Sequence, residues 1–429
     1  MLVVPLGRAA AVGAPGTEAT ATADTSSLAR QVEAELRGNI LPFWLKYARD
    51  RKRGGFYGEI RNDLTVKADA PRGALLTSRI LWTFSAAYRR YHDPAYLEMA
   101  RWAYDDLLSR FWDKEQGGLY WSVSADGRPK DQRKITYVQA FGIYGLSEYF
   151  RATGEQEVLD RAVQLYRTLE LHGHDGAHLG YFEEFSRDWR VSRARGGQGA
   201  SAMGSLGQKS QNTHLHVLEA FTNLARVWPD AGLRRNLREV AEVLLTRVLD
   251  PSNHHLRLFL TENWTPTSDE ISFGHDIEFS WLITEAAEEI GDEAFLASAR
   301  RTAVAIAAAT RTEGVDPDGG VLGEANPHGI TNAYKEWWPQ AEAVVGFFNA
   351  YQISGDASYL GNAMRSWGFI ESHLIDRTHG EWFQGVTREG KVVVPLKLSF
   401  WKCPYHNGRA CLELLGRIAA TPAPPLPSK

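Results

Sequence analysis

The sequence predicts an all-α protein, an (α/α)6 barrel of about twelve helices with short β-hairpins and loops gathered at one end. Three observations lead there. A short segment rich in Gly, Asp and aromatic residues recurs at intervals of roughly 60–75 residues. Pairs of helical patterns fill the spaces between these segments. In four of the pairs the first helix is the more apolar, with Trp82, Phe141, Phe221 and Trp281 on it, while the second carries more Arg and Glu. A helix apolar nearly all round belongs inside and one with a charged face outside.

Taken in order, residues 1–26 are small and weakly patterned and read as a disordered tail. The first helix is expected near Ser27 to Tyr47. The recurring segments then run Gly54 to Ile60, Asp113 to Val123, His174 to Phe185, Asp250 to Leu260, Asp316 to Glu324 and Asp376 to Val386, each a turn followed by a short strand. The helix pairs between them break at YHDPAY, ATGEQE, EIGDEA and ISGDAS, where Gly and Asp-Pro suit a helix stop and restart. A closing helix is expected near Tyr405 to Ala420, and the Pro-rich residues 421–429 should fray. An open solenoid would end in repeats with polar outer faces. WKCPYHNGRACLELL is instead apolar and reactive, so the last helix should pack on the first and residues 27–420 should form one catalytic domain. Polar residues near the N-terminal ends of the inner helices then face one end of the barrel and become the site candidates.

Composition narrows the function. The 429-residue chain is 44% hydrophobic with a net charge of −4, enough for a large core and not the basic balance of a nucleic-acid binder. Cys403 and Cys411 alone make neither a disulfide framework nor a zinc site. No stretch reaches the length of a membrane span, and the Met1 to Leu6 run is too short for a signal peptide. A cytoplasmic protein, monomeric or weakly dimeric, is expected, with no membrane or nucleic-acid partner.

Five clusters carry chemistry. SFGHDIEFSW holds His275 and Glu278, three apart and able to share a helical face, with Asp276 placed to cap the helix. SFWKCPYHNGRA holds Trp401, a flat apolar face for a sugar ring, with His406, Asn407 and Arg409; so polar a cluster is unlike plain core. SQNTHLHVLEAF repeats the His-x-x-Glu spacing in His216 and Glu219, with Asn212 on the face of His216 and His214 directed elsewhere. AYKEWWPQAEA brings Glu336, Trp337, Trp338 and Glu342 to a helix mouth with Pro339 in the first turn, and only one of the two tryptophans is expected to line a cavity. In LTSRILWTFS, Arg79 lies in an aromatic helix pattern and needs a carboxylate or a ligand oxygen. Tyr137, at the head of the next inner helix, joins the substrate-binding set. The histidines sit on different hairpins with no HExxH motif, so no metal or other cofactor is expected.

The segments NTHLHVLEAF, FGHDIEFSWL, EWWPQAEAVVGFFNAY and WKCPYHNGRACLE resemble, in the same order, those of the N-acylglucosamine 2-epimerase superfamily, most closely its cellobiose 2-epimerase branch. The resemblance spans about Gln31 to Arg417. It implies an (α/α)6 barrel that epimerises or isomerises reducing sugars without a redox cofactor. It implies that His275 and His406 are the acid/base pair, Arg79 the positioning arginine and Glu278 a helper carboxylate. It places Asn212 and His216 in support at the barrel centre, His216 being tied to 2-epimerisation, and Trp338 and Trp401 as sugar-stacking rings. Phe273 stands where the disaccharide enzymes often carry Tyr. The implied substrate is the reducing-end residue of a β-1,4-linked disaccharide such as cellobiose or lactose; the alternative is a monosaccharide epimerase or aldose–ketose isomerase acting on mannose, glucose or fructose. The barrel also serves inverting glycoside hydrolases, which need two separated carboxylates, and Glu336, Glu342, Glu278 and Asp188 are available. A noncatalytic sugar-binding module would leave His275 and His406 without purpose. The glycine-rich segment Arg187 to Gln211 is a candidate lid over the barrel mouth.

Overall fold

A computed structural model describes residues 15–192 and 208–421 of the chain. Six inner helices form the barrel wall: α3 (Ala74–Tyr91), α5 (Thr136–Thr153), α7 (Gln211–Ala225), α9 (Phe273–Ile290), α11 (Trp337–Ser354) and α13 (Tyr405–Ala420). Each packs on the next, and α13 packs back on α3, so the ring is closed. The outer layer consists of α1 (Pro15–Glu35), which continues through a π-turn at Leu36–Ile40 into α2 (Leu41–Tyr47), then α4 (Pro94–Asp106), α6 (Gln156–Gly173), α8 (Ala231–Val243), α10 (Glu293–Ala309) and α12 (Ala357–Phe369). Trp82, Phe141, Phe221 and Trp281 are all buried, as the apolar character of the inner helices requires. Asp93, Asp230, Asp292 and Asp356 cap the outer helices α4, α8, α10 and α12 through backbone N–H groups. The candidate lid falls largely on 193–207, outside the described residues, as do 1–14 and 422–429.

The first helix begins at Pro15 rather than near Ser27. Periodicity was the wrong guide there. Pro15 suits a first helical turn, where its missing N–H would have no intrahelical partner.

A second repeat underlies the visible one. In four of the turns the opening aspartate accepts two N–H groups from the residues just after it: Asp50 from Lys52 and Arg53, Asp113 from Glu115 and Gln116, Asp175 from Ala177 and His178, Asp376 from Thr378 and His379. In five, the aspartate carboxylate holds a buried cation on the strand entering the next inner helix. The pairs are Asp50–Arg72 (2.5 Å), Asp113–Lys134 (3.0 Å), Asp175–Lys209 (2.7 Å), Asp316–Lys335 (2.9 Å) and Asp376–Lys397 (2.9 Å). Each cation therefore ties a turn to the strand that delivers the following inner helix. In the fourth repeat Ile271 stands at the lysine position and Asp250 turns to Arg257 instead.

Closure has its own buried hub. Glu381 accepts hydrogen bonds from Trp44 of α2 (2.5 Å), from Lys402 before α13 (2.6 Å) and from Asn407 inside it (2.6 Å), linking the beginning of the chain to its end. A buried carboxylate with this many donors is satisfied rather than costly.

Candidate active site

Closure brings the N-terminal ends of the inner helices around a cavity of about 250 Å³. It is lined by Arg79 from α3, Tyr137 from α5, Asn212 and His216 from α7, His275 and Glu278 from α9, Glu336, Trp337 and Trp338 at the mouth of α11, and Trp401 and His406 at α13. Ten residues expected at the site from sequence thus share one space. Gln384, just before the Gly385–Val386 strand that follows the sixth turn, also lines it. Sequence reasoning missed Gln384 because a lone glutamine in a connecting segment carries no spacing signal.

Three expectations are corrected. Both Trp337 and Trp338 border the cavity: Trp337 heads the helix and Trp338 follows it, so one turn at the mouth presents two rings. Arg409 was expected to touch substrate, but it is fully buried behind the cavity wall, where Glu219, Glu278 (2.5 Å) and Glu342 (2.7 Å) hold its guanidinium. Asp276 does not cap α9. It is buried, bonded to His255 Nδ1 (2.7 Å) and to the Leu256 N–H (2.8 Å), and so ties α9 to the preceding turn.

The three cavity histidines differ in what stands behind them. His406 Nδ1 meets Glu342 at 2.7 Å, and His216 Nδ1 meets Glu219 at 2.9 Å. His275 Nδ1 meets only neutral groups, Ser272 Oγ at 2.9 Å and the Gln211 amide at 3.1 Å. The repeated His-x-x-Glu spacing therefore yields two outcomes: Arg409 bonds both glutamates, but only Glu219 also reaches its histidine. His214 is structural: one ring nitrogen receives the Tyr181 N–H and the other meets the Ser210 carbonyl. The Trp338 indole lies against both catalytic candidates, 4.6 Å from the ring of His275 and 5.6 Å from that of His406.

Burial sets the charge states. It lowers His216 to about 4 against the pull of Glu219, and lowers His275 to about 3, aided by nearby His216. Burial and the Arg79 and Arg409 charges hold His406 well below the usual histidine range. Burial would raise Glu219, but Arg409 and the His216 hydrogen bond outweigh it and bring it to about 2. Burial and the neighbouring Glu342 push Glu278 well above the usual carboxylate range, against Arg409. The empty cavity thus presents neutral imidazoles, the form that accepts a proton.

Arg79 is the counterweight. It is buried, and its hydrogen-bond partners are the Tyr137 hydroxyl, the Trp401 carbonyl (3.3 Å) and the Cys403 sulfur (3.9 Å), none of them a carboxylate. The rings of Phe141 and Tyr405 stack on it at 4.3 and 4.8 Å. A guanidinium held by neutral groups beside a cavity is prepared for an oxygen that becomes negative. Glu278, Glu342 and His406 do present ligand atoms within 4.8 Å of one another, but Arg409 already bonds both carboxylates, so a guanidinium charge stands where a metal ion's would.

The sequence profile of the N-acylglucosamine 2-epimerase (GlcNAc 2-epimerase) family matches residues 55–410. The chain belongs to that family. It is 43% identical over 392 residues to cellobiose 2-epimerase of Bacteroides fragilis, covering 91% of this chain and 99% of the relative. It is 37% identical to cellobiose 2-epimerase of Dictyoglomus turgidum, covering 92% and 100%. The solved cellobiose 2-epimerase of Bacillus thermoamylovorans superimposes with a TM-score of 0.86 at 39% identity, covering 91% of this chain and all of that one. The (α/α)6 barrel and membership of the carbohydrate epimerase class are therefore established, and the chain is a sugar 2-epimerase. Among the described residues no helix is long and apolar enough to cross a membrane.

Proposed function

We propose that this epimerase inverts C2 of the reducing-end residue of a β-1,4-linked disaccharide, converting cellobiose to glucosyl-mannose and lactose to epilactose, with His275 and His406 as the proton-transfer pair. The observation that carries the reading is that two histidines from different helices border one cavity together with a buried arginine that, among the described residues, has no carboxylate hydrogen-bond partner.

The C2 proton of an aldose becomes acidic only when C1 is an open-chain aldehyde, so the site first assists ring opening by moving protons at O5 and O1. One imidazole then takes the C2 proton. The electrons pass to O1, giving a cis-enediolate, and Arg79 stabilises the charge that develops there. The histidine on the other side of C2 enters this step carrying a proton drawn from solvent and gives it to the opposite face, which completes the inversion; the two imidazoles exchange protonation states with each turnover. Return of the proton to C1 instead gives a ketose, so some isomerase activity follows from the same intermediate. His216 and Asn212 support the sugar from α7, and Trp338 and Trp401 offer stacking faces.

The cavity is smaller than the ~300–1,000 Å³ of sites that enclose a drug-sized ligand and suits one sugar ring, so the support for a disaccharide comes from what adjoins it. From the Trp401 ring the aromatic surface continues to Trp121 at 5.9 Å and on to Phe400 at 5.0 Å, which border a more open cavity beside the first.

The test is an NMR product survey in D2O with cellobiose, lactose, mannose, glucose and N-acetylglucosamine. The expected result is epimerised disaccharide of unchanged mass with deuterium at C2. Turnover of monosaccharides alone would overturn the disaccharide assignment, and release of two monosaccharides would indicate hydrolysis.

A further inference from the structure

We infer that Gln211, together with Ser272, is a positioning residue for His275: its side-chain carbonyl accepts the Nδ1–H of His275 and so holds the tautomer whose Nε2 lone pair faces the cavity. The inference rests on His275 being one of the proton-transfer pair.

Gln211 opens α7 and its side chain is buried, with the amide 3.1 Å from His275 Nδ1. As placed, the amide nitrogen faces the ring and the carbonyl oxygen is buried without a hydrogen-bond partner. The two ends of a glutamine amide have nearly the same shape, and which one faces a neighbour follows from the chemistry of the bond. If the amide nitrogen donates to Nδ1, the ring proton must sit on Nε2, and the imidazole has no lone pair to offer the substrate. If the amide is turned over, the orphaned oxygen accepts Nδ1–H, and Ser272 Oγ at 2.9 Å is a second acceptor. Nε2 is then a base while neutral and a proton donor once charged, as a reversible epimerase requires. Only the second arrangement serves both half-reactions.

The choice of an amide over a carboxylate matters as much as its placement. His216 and His406 have glutamates at the equivalent nitrogen, which favour a proton on the ring. His275 has two uncharged partners. The other charged or titratable groups around it in the cavity are His216 of α7, Arg79 of α3, Tyr137 of α5, Glu336 before α11, His406 of α13 and Glu278 of its own helix. None of these stands at its Nδ1, so Gln211 and Ser272 alone set what that nitrogen experiences.

The experiment measures solvent deuterium exchange at C2 of the substrate against pH, together with the 15N resonances of the His275 ring. Wild-type protein should show the Nδ1–H tautomer. Gln211→Leu should lower kcat by roughly 10–100-fold, the order found when an outer partner of a working imidazole is removed, with KM little changed. Gln211→Glu keeps the size and adds a charge, so the acid limb of the rate profile should move to higher pH by roughly one unit or more. An Nε2–H tautomer in the wild type, or a Gln211→Glu profile superimposable on it, overturns the inference. Should Gln211→Leu fail to fold, the glutamate variant and the wild-type 15N spectrum still decide. His275→Ala is measured alongside: if it still exchanges C2, the proton-transfer reading itself fails, a result distinct from failure of the Gln211 assignment.

Discussion

At the scale of the residue, one side-chain type takes different parts according to what lies behind it. His214 spends both ring nitrogens on backbone groups, while among the described residues His275 and His406 each keep one ring nitrogen without a protein hydrogen bond beside the cavity. Alanine at either His275 or His406 should therefore abolish deuterium incorporation at C2, checked by NMR of the recovered sugar; full exchange in both variants would contradict the two-histidine scheme. Arg79 invites a sharper test. Lysine keeps the charge but loses the planar fork and its stacking between Phe141 and Tyr405. Arg79→Lys should reduce kcat on the order of 100-fold, the cost of losing one donor to a developing oxyanion, with a smaller change in KM. The sequence already marked Arg79, because an arginine inside an aromatic helix pattern needs a reason to be there. It misplaced Arg409 because composition shows that a cation is present but not which side of a helix wall it faces. The three glutamates that claim Arg409 come from α7, α9 and α11, and no local spacing announces that convergence.

At the scale of the element, the inner helices were legible and the ties between them were not. Apolar faces and helix-stopping turns recur locally, so a window of sequence reveals them. The aspartate–cation pairs that join five of the turns to the next inner helix are separated by a whole turn and strand, and a single lysine or arginine beside a strand looks like solvated surface. Helix packing also sets where a methyl group is tolerated. A Cβ on Gly346 of α11 would lie 2.7 Å from the Ile277 carbonyl oxygen of α9, so the two inner helices approach through the absence of a side chain. Gly346→Ala should destabilise the fold by about 1–3 kcal/mol, as overpacking a rigid interior does. On the outer helix α12, a Cβ on Gly361 would meet nothing within 4 Å. Gly361→Ala should instead stabilise by about 0.5–1 kcal/mol, since alanine loses less backbone entropy in a helix. Urea denaturation of the two variants gives opposite shifts in midpoint; shifts of the same sign would show that α9 yields to α11 more easily than its packing indicates.

At the scale of the whole molecule, the buried neutral histidines at the barrel centre contribute stability that acid removes. His214 and His216 are held at about 4 and His275 at about 3, all by burial first, against an unfolded value near 6.5. A folded value below the unfolded one means that the unfolded chain binds more protons in the interval between them, so stability rises with pH there. Their contribution is fully present above about pH 6.5 and declines as pH falls towards 3–4. Glu219, held at about 2, acts in the same direction at lower pH, below about 4.5. Glu183 opposes them: burial raises it to about 7, so its contribution is present below about pH 4.5 and is lost as pH rises through 7. Glu278, Glu413 and Asp106 are raised by burial as Glu183 is, the last two to about 7 and about 6, so the urea midpoint reflects the balance of the two sets, and the histidine share is the part that rises with pH between about 4 and 6.5. The rate should fall over the same acid range, because protonated histidines cannot take the C2 proton. A variant with His214→Gln, which lies outside the cavity, should shallow the stability slope while leaving the acid limb of kcat where it was. If slope and limb move together, the histidines do not titrate as separate groups and the barrel opens as a unit when the first of them is charged.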